Sequence, residues 1–181
     1  MNIILFGPQG SGKGTQAQLL AERFGFFYFE SGAYLRKVAE SNTELRKMLD
    51  SGILVPDIEM TSYLTAYFDE KSLYDDVIFD GFPRTLEQYN FLKIWLTEKQ
   101  VKIDLAIVLE IGETETIKRL LLRKREDDTP EAIKKRLELY HMRTEALINE
   151  IVKDTNVVRI NGERSIDEIQ KELSAIIEKS K

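Results

Sequence analysis

The sequence has no cysteine and only one histidine among its 181 residues. The lack of cysteine excludes disulfide bonds, thiolate zinc sites and cysteine nucleophiles. A single histidine excludes a histidine-rich metal cluster and leaves little room for catalysis built on imidazole. We therefore expect no zinc in this protein.

Long apolar segments and an excess of positive charge are also missing. No apolar segment approaches the roughly 18 residues of a membrane-spanning helix, and the N-terminus lacks the pattern of a signal peptide. The 26 basic and 31 acidic side chains give a net charge of −5, which argues against bulk binding to nucleic acid or an anionic membrane. These features predict a cytoplasmic protein whose partners are neither nucleic acids nor membranes.

Short apolar segments alternate with longer helical patterns along the chain. Their nearly continuous apolar character is typical of strands that helices cover on both faces. The alternation predicts an α/β fold with a doubly wound, five-stranded parallel sheet and helices on both faces. The predicted strands are Asn2–Phe6, Phe26–Phe29, Val77–Phe79, Leu105–Glu110 and Val157–Ile160.

Two helix starts and one long helix can also be read from the sequence. Thr129 followed by Pro130 is a typical helix N-terminus, and Ser165 with Glu168 forms a capping box. Apolar residues at helical spacing predict one long helix with a buried face. That face comprises Ile133, Leu137, Tyr140, Leu147 and Ile151.

A single domain is expected over residues 1–181. Its core would comprise residues 1–30 and 60–181, and two or three helices at about 31–59 would form a small insert that stands off the sheet. The insert would end near Pro56, because the residue before a proline disfavours helix.

The strongest local motif is GPQGSGKGT at Gly7–Thr15, which follows the first strand and opens a helix. Glycines let several backbone N–H groups face one anion, and the helix start adds partial positive charge. Lys13 can reach the outer phosphates. The P-loop pattern G-x(4)-G-K-[ST] is met except that Gly14 stands before the hydroxyl of Thr15. We expect phosphate binding on a P-loop NTPase type of fold, the alternative being a merely tight turn.

An acid and several arginines accompany this loop. Asp80 ends an apolar strand, where it could hold Mg²⁺ directly or through water; a turn aspartate before Gly81 is the alternative. Arg119 and Arg123 lie four residues apart on one helix face, which favours an anion between them over a simple solvated face. Guanidinium groups match phosphate oxygens in geometry and charge.

These motifs occur in an order that closely resembles the adenylate kinases over essentially the whole chain. The run DGFPR beside a GKGT loop is specific to nucleoside monophosphate kinases. The matching segments are GPQGSGKGTQ at 7–16, Ser31-Gly32 with Leu35-Arg36, GILV at 52–55, DGFPRT at 80–85 with Gln88, Arg119, Arg123, Arg125, Asp127-Asp128, Arg136-Leu137 with Tyr140, and Asn161-Gly162.

The resemblance implies the reaction Mg-ATP + AMP ⇌ 2 ADP, with ATP, AMP and ADP as partners and Mg²⁺ as cofactor. It implies ATP binding by Gly10, Ser11, Gly12, Lys13, Gly14, Thr15, Arg119 and Arg164. It implies AMP binding by Ser31, Arg36, Ile53, Leu54, Val55, Gly81, Phe82, Pro83, Arg84, Gln88, Arg125 and Arg136. The catalytic residues would be Lys13, Arg84, Arg123, Arg125 and Arg136, and Asp80 would hold Mg²⁺ through water.

The chemistry of such a reaction needs no general base. The acceptor is a phosphate oxygen with a second pKa of about 6, so it is largely ionised at neutral pH. Catalysis reduces to positioning and charge neutralisation, which lysine, arginine and Mg²⁺ supply. His141 is therefore read as an ordinary helix residue.

The sequence departs from the family pattern at three places. The insert at about 31–59 is about one helical turn shorter than usual for the family. Ala33 stands where the family usually has an acid. Only Lys124 separates Arg123 from Arg125, where relatives carry a lid, so the lid is reduced to a short loop at about 124–128. Because lids exclude water, we expect a side reaction that hydrolyses ATP, or a compensating cover from a second subunit.

Four questions stay open at this stage. Thr85 and Gln88, with Ser31, favour adenine over the pyrimidines that related kinases accept, and an amide can pair with an adenine edge. A sensor that binds ATP and AMP but transfers little is the other alternative. The donor could be ATP or GTP, and the oligomeric state is undetermined, with a monomer favoured.

Overall fold

The computed structural model describes residues 1–123 and 128–180, and for Arg123 the backbone alone. Its five strands form one all-parallel sheet in the order β2-β3-β1-β4-β5. The predicted α/β class and parallel sheet are confirmed. The strands are β1 Asn2–Phe6, β2 Phe27–Glu30, β3 Val77–Asp80, β4 Ile103–Glu110 and β5 Val157–Asn161.

Four of the predicted strands need their boundaries corrected by one or two residues. Strand β2 lies one residue later than predicted, β3 and β5 end one residue later, and β4 begins two residues earlier. The ladder extends past the apolar segments, since Glu30 pairs with Asp80 and Asn2 pairs with Ile103. Backbone pairing, rather than apolar character, sets where each strand ends.

Helices connect the strands and cover both faces of the sheet. They are α1 Lys13–Phe24, α2 Ser31–Ala39, α3 Thr43–Asp50, α4 Asp57–Lys71, α5 Leu86–Glu98, α6 Glu113–Arg123, α7 Pro130–Leu139, α8 Glu145–Ile151 and α9 Ile166–Ser180, with a π-helical turn at Tyr140–Thr144 between α7 and α8. None of these described helices is long and apolar enough to cross a membrane.

Alternate residues of the central strand enter two separate hydrophobic clusters. Ile3 and Leu5 pack with α1 and α9, whereas Ile4 and Phe6 pack with α4, α5 and α8. This alternation follows from the two-residue period of a strand. The sheet is therefore covered on both faces, as its apolar strands predict.

The two predicted helix starts are present. The hydroxyl of Thr129 accepts a hydrogen bond from the backbone N–H of Ala132 at 3.2 Å. The carboxylate of Glu168 accepts one from the backbone N–H of Ser165 at 3.0 Å, which completes the capping box.

The single long helix predicted around residues 133–151 is wrong in one respect. The chain forms α7, the π-helical turn and α8 in succession. The apolar period is helical on both sides of the turn, so it cannot reveal the different hydrogen bonding within it. His141, expected in an ordinary helix, lies in this turn and contacts the carboxylates of Glu113 and Glu145.

Helices α2 and α3 and the start of α4 occupy the segment at about 31–59. Helix α4 begins directly after Pro56. The division of the chain into a core and an insert stays a prediction.

Candidate active site

A cleft of about 730 Å³ opens at the carboxyl edge of the sheet. In the ladder Leu5 of β1 pairs with Asp80 of β3, which pairs in turn with Glu30 of β2. The segments that follow these strands therefore meet at one edge, where open parallel sheets bind their ligands. This register brings the glycine loop, Ser31 and Asp80 together.

The glycine loop needs glycine for two physical reasons. Gly7 has a φ of +143°, and a Cβ there would lie 2.6 Å from the carbonyl oxygen of Leu109. Gly12 has a φ of +95° and immediately precedes α1, where no side chain caps the helix. Gly12 and the first residues of α1 line the cleft, so the uncapped N–H groups of the helix start form a ready anion-binding arrangement there.

Lys13 folds back over this loop. Its ammonium donates hydrogen bonds to the carbonyl oxygens of Gly7 at 2.7 Å and Pro8 at 3.0 Å. The charge thus stands beside the open N-terminus of α1, and both features attract phosphate.

Asp80 is a buried carboxylate close to Gly14 at the start of α1. The hydroxyl of Tyr28 donates a hydrogen bond to Asp80 Oδ2 at 3.0 Å. Burial raises the pKa of Asp80, while the nearby charge of Lys13 and the hydrogen bond from Tyr28 oppose that rise. A buried carboxylate beside a phosphate loop is a hard oxygen ligand of the kind that Mg²⁺ takes, so the residues fit this ion.

No cluster of three or more histidine, cysteine, aspartate or glutamate side chains suited to a metal occurs in the described ranges 1–123 and 128–180. Mg²⁺ does not need such a cluster, because it usually keeps waters and takes phosphate oxygens from its nucleotide.

Arg84 faces the cleft from the loop after β3. Its Nε donates to the carbonyl oxygen of Gly81 at 2.7 Å. Burial lowers the pKa of Arg84; Asp80 opposes this effect, and the charges of Arg136 and Arg36 reinforce it. Three guanidinium groups therefore act on one region, where an anion would relieve their mutual repulsion.

Carboxylates and carbonyls hold the other two arginines of this group. Arg36 pairs with Glu30 at 3.0 Å. Arg136 donates to Asp128 Oδ1 at 3.0 Å and to the Leu49 carbonyl at 3.0 Å. These contacts fix the guanidiniums before a ligand arrives, which lowers the ordering cost of binding.

Arg119 and Arg164 lie on the other side of the phosphate loop. Arg119 donates to Glu115 at 2.8 Å and to the Gly162 carbonyl at 3.0 Å, and Arg164 pairs with Glu172. Both arginines line the main cleft.

A smaller cavity of about 60 Å³ adjoins the main cleft through Arg36, Arg84 and Arg136. Gln88, which is 2% exposed, forms part of its wall. Leu35, Val55 and Met60 also line it, so a buried amide stands beside an apolar surface, a combination suited to a planar heterocyclic base.

Most of the predicted site residues line one of the two cavities. The main cleft is lined by Gly10, Ser11, Gly12, Lys13, Gly14, Thr15, Arg36, Leu54, Asp80, Gly81, Pro83, Arg84, Arg119, Arg136 and Arg164. The smaller cavity is lined by Ser31, Ile53, Val55 and Gln88, and it shares Arg36, Leu54, Gly81, Arg84 and Arg136 with the cleft.

Three predicted residues are placed differently or fall outside the description. Phe82 is 1% exposed and packs in the hydrophobic core rather than lining either cavity. Arg125, the side chain of Arg123 and most of the predicted short lid at about 124–128 lie outside the described residues.

Sequence reasoning missed three residues that support the site. Tyr28 donates to Asp80, Thr144 of the π-helical turn donates to the Arg84 carbonyl at 3.3 Å, and Asp57 accepts from Gln88. Each contact joins positions far apart in sequence. No local pattern marks these residues; the fold alone brings them to the site.

The parallel sheet, the glycine loop with its lysine and the surrounding arginines define a P-loop phosphotransferase. A family model described as adenylate kinase matches residues 5–156. The adenylate kinase of Bacteroides thetaiotaomicron is 37% identical over an alignment of 187 positions that covers 99% of each chain. That of Parabacteroides distasonis is 39% identical over 93% of each chain. The present chain belongs to the adenylate kinase family.

A more distant relative is longer than this chain. The adenylate kinase of Methanosarcina barkeri is 32% identical, with 99% of each chain covered, over an alignment of 213 positions. This exceeds the 181 residues of the present chain, so the relative has segments without a counterpart here. In the present structure six residues, 124–129, separate α6 from α7.

Proposed function

We propose that this protein catalyses the reversible reaction Mg-ATP + AMP ⇌ 2 ADP. The observation that carries the proposal is one continuous cleft with a phosphate loop on one side and the Arg36, Arg84 and Arg136 group on the other. Two anionic nucleotides can therefore meet end to end. The adjoining cavity at Gln88 supports an adenine on the acceptor side.

The loop side would bind the donor. The N–H groups at the start of α1 would bind its phosphates, and Lys13 would neutralise charge that develops on the outer phosphates. Arg119 and the loop at residues 162–164 would contact the donor base. Mg²⁺, held by Asp80 through water, would supply further charge neutralisation when it is bound with ATP.

The arginine side would bind AMP. Arg36 and Arg84 would hold its phosphate in reach of the donor, while Ser31, Val55 and Gln88 would contact its base. Arg123, Arg125 and Arg136 would surround the transferring group; for Arg123 and Arg125 this assignment rests on the family pattern. No side chain has to accept a proton, because the acceptor oxygen is already ionised.

An assay of ADP formation with a panel of acceptors tests this proposal. Mg-ATP is incubated with AMP, GMP, CMP or UMP, and AMP is expected to give the highest kcat/KM. Lys13→Ala, which removes a donor to the transferring group, should lower kcat by roughly 10²–10³. A higher kcat/KM with CMP or UMP than with AMP would show that the acceptor is a pyrimidine nucleotide. Nucleotide binding without transfer would favour the sensor alternative.

A further inference from the structure

Asp57 lies in the first turn of α4 and joins this helix to the acceptor side of the cleft. Its Oδ1 accepts two hydrogen bonds, from the hydroxyl of Thr85 at 3.0 Å and from Nε2 of Gln88 at 2.8 Å. In the sequence, Asp57 lies 28 residues before Thr85 and 31 residues before Gln88. One carboxylate oxygen therefore binds the side chain expected to contact the base.

The second end of the Gln88 amide is also engaged. Its Oε1 accepts a hydrogen bond from the backbone N–H of Arg84 at 2.8 Å. A flipped amide would place its NH₂ against this N–H and its oxygen against the Asp57 carboxylate. Both contacts would then be repulsive, so the two neighbours allow a single orientation of the amide.

The fixed amide retains capacity for one more partner at each end. Nε2 carries two hydrogens, and Oε1 has two lone pairs. Asp57 and Arg84 use one of each, which leaves one donor and one acceptor. A purine edge that offers an acceptor beside a donor can pair with such an amide.

We propose that Asp57 is a positioning residue that makes Gln88 select a 6-amino purine over a 6-oxo purine. This inference rests on the proposed function. Adenine offers N1 as an acceptor beside the 6-amino donor, whereas hypoxanthine offers an N1–H donor beside an O6 acceptor. The two bases need opposite orientations of the amide. Asp57 makes the orientation for hypoxanthine costly.

AMP and IMP are the matched pair of ligands for the test, because they differ only at these edge positions. The variants are Asp57→Ala, which releases the amide, and Asp57→Asn, whose carbonyl can still accept from Thr85 and Gln88. Glu59→Ala is the control, since it removes the other carboxylate in the first turn of α4 without a contact to Gln88. For each protein we would measure kcat/KM, the Kd for AMP and IMP, and Tm.

Asp57→Ala is expected to raise the ratio of kcat/KM for IMP to that for AMP by about tenfold or more, the scale of one bidentate base contact. The Kd ratio should move in the same direction. Asp57→Asn should restore most of the preference for AMP, and Glu59→Ala should leave the ratio unchanged. If Asp57→Ala does not fold, Asp57→Ser keeps a good residue at the helix start but has a shorter side chain, and it serves the same purpose.

An unchanged ratio, with both nucleotides weakened equally and a lower Tm, would overturn the inference and leave Asp57 a purely structural link between α4 and α5. Failure of the proposed function gives a different result, because the wild-type protein then forms no ADP from AMP. In that case the Kd ratio still decides whether Asp57 controls base preference.

Discussion

At the scale of single residues, the site depends on side chains that orient other side chains. Tyr28 illustrates this: its hydroxyl donates to Asp80, the carboxylate expected to hold Mg²⁺. Phenylalanine at position 28 would keep the ring and remove that donor. The carboxylate would then be less well oriented toward the ion.

Tyr28→Phe is therefore expected to raise the Mg²⁺ concentration at half-maximal activity several-fold, with little change in kcat at saturating Mg²⁺. The stabilisation by Mg-ATP, measured as a shift in Tm, should also be smaller at low Mg²⁺. Tyr67→Phe removes a hydroxyl from the aromatic cluster around Phe68 and serves as the control. Identical Mg²⁺ titrations for wild type and Tyr28→Phe would show that the hydroxyl has no such role.

At the scale of elements, the connection between α6 and α7 bears on water access. Only residues 124–129 separate the two helices. Six residues are too few to form a lid domain, and water that reaches the phosphates competes with the acceptor. We expect slow release of inorganic phosphate from Mg-ATP in the absence of AMP.

The check is a phosphate-release assay without acceptor, with Lys13→Ala as the control for contaminating hydrolysis. We expect the wild-type protein to release phosphate faster than this control. The wild-type rate of phosphate release should fall when AMP is added and fills the cleft. The contrary result is a wild-type rate no higher than that of Lys13→Ala, from a protein that sediments as a monomer. It would exclude both explanations, the open cleft and the cover by a second subunit.

A second prediction at this scale concerns the contact between α5 and the end of α8. Lys93 and Tyr89 of α5 donate to the carboxylate of Asp154, and these bonds lower its pKa. Burial raises the pKa of Tyr89 to about 12. A carboxylate with a lowered pKa stabilises the fold above its unfolded pKa, and this stabilisation is lost as the pH falls through its folded pKa.

Asp154→Asn is expected to lower the free energy of unfolding at pH 7 by less than about 1 kcal/mol, because the Asp154 side chain is 44% exposed and solvent screens the pair. The difference from wild type should shrink below about pH 4 and vanish once Asp154 is protonated. Urea unfolding at pH 7 and pH 3 measures this, with Asp50→Asn as the surface control. A difference that is constant with pH would show that the ion pair does not cause it.

At the scale of the whole molecule, the sequence predicts the layered fold better than it predicts the site's supporting contacts. Apolar segments of strand length identify all five strands of the sheet, since the central strands are buried on both faces and the edge strands β2 and β5 are partly buried. Their ends are less certain, because pairing continues into polar residues such as Glu30 and Asp80. The π-helical turn at Tyr140–Thr144 leaves the apolar period of its flanking helices intact and is invisible to it.

The residues of the candidate site likewise include some that the sequence predicts and some that it does not. The glycine loop is predictable because the positive φ of Gly7 and its close approach to Leu109 require glycine, and the glycines can be read directly from the sequence. In contrast, Asp57, Tyr28 and Thr144 contact residues that are far away in sequence and come close only in the folded chain. No sequence motif therefore marks them. Phe82 shows the opposite error: it belongs to a functional motif, yet its side chain serves the core.

In the proposed reaction, two nucleotides exchange one phosphoryl group in this cleft. The most direct measurement follows the ³¹P NMR spectrum of Mg-ATP with equimolar AMP after addition of the wild-type protein. ATP and AMP should decline together while ADP rises, with two ADP formed for each AMP consumed. Conversion of ATP to ADP and inorganic phosphate, with AMP unchanged, would contradict the account.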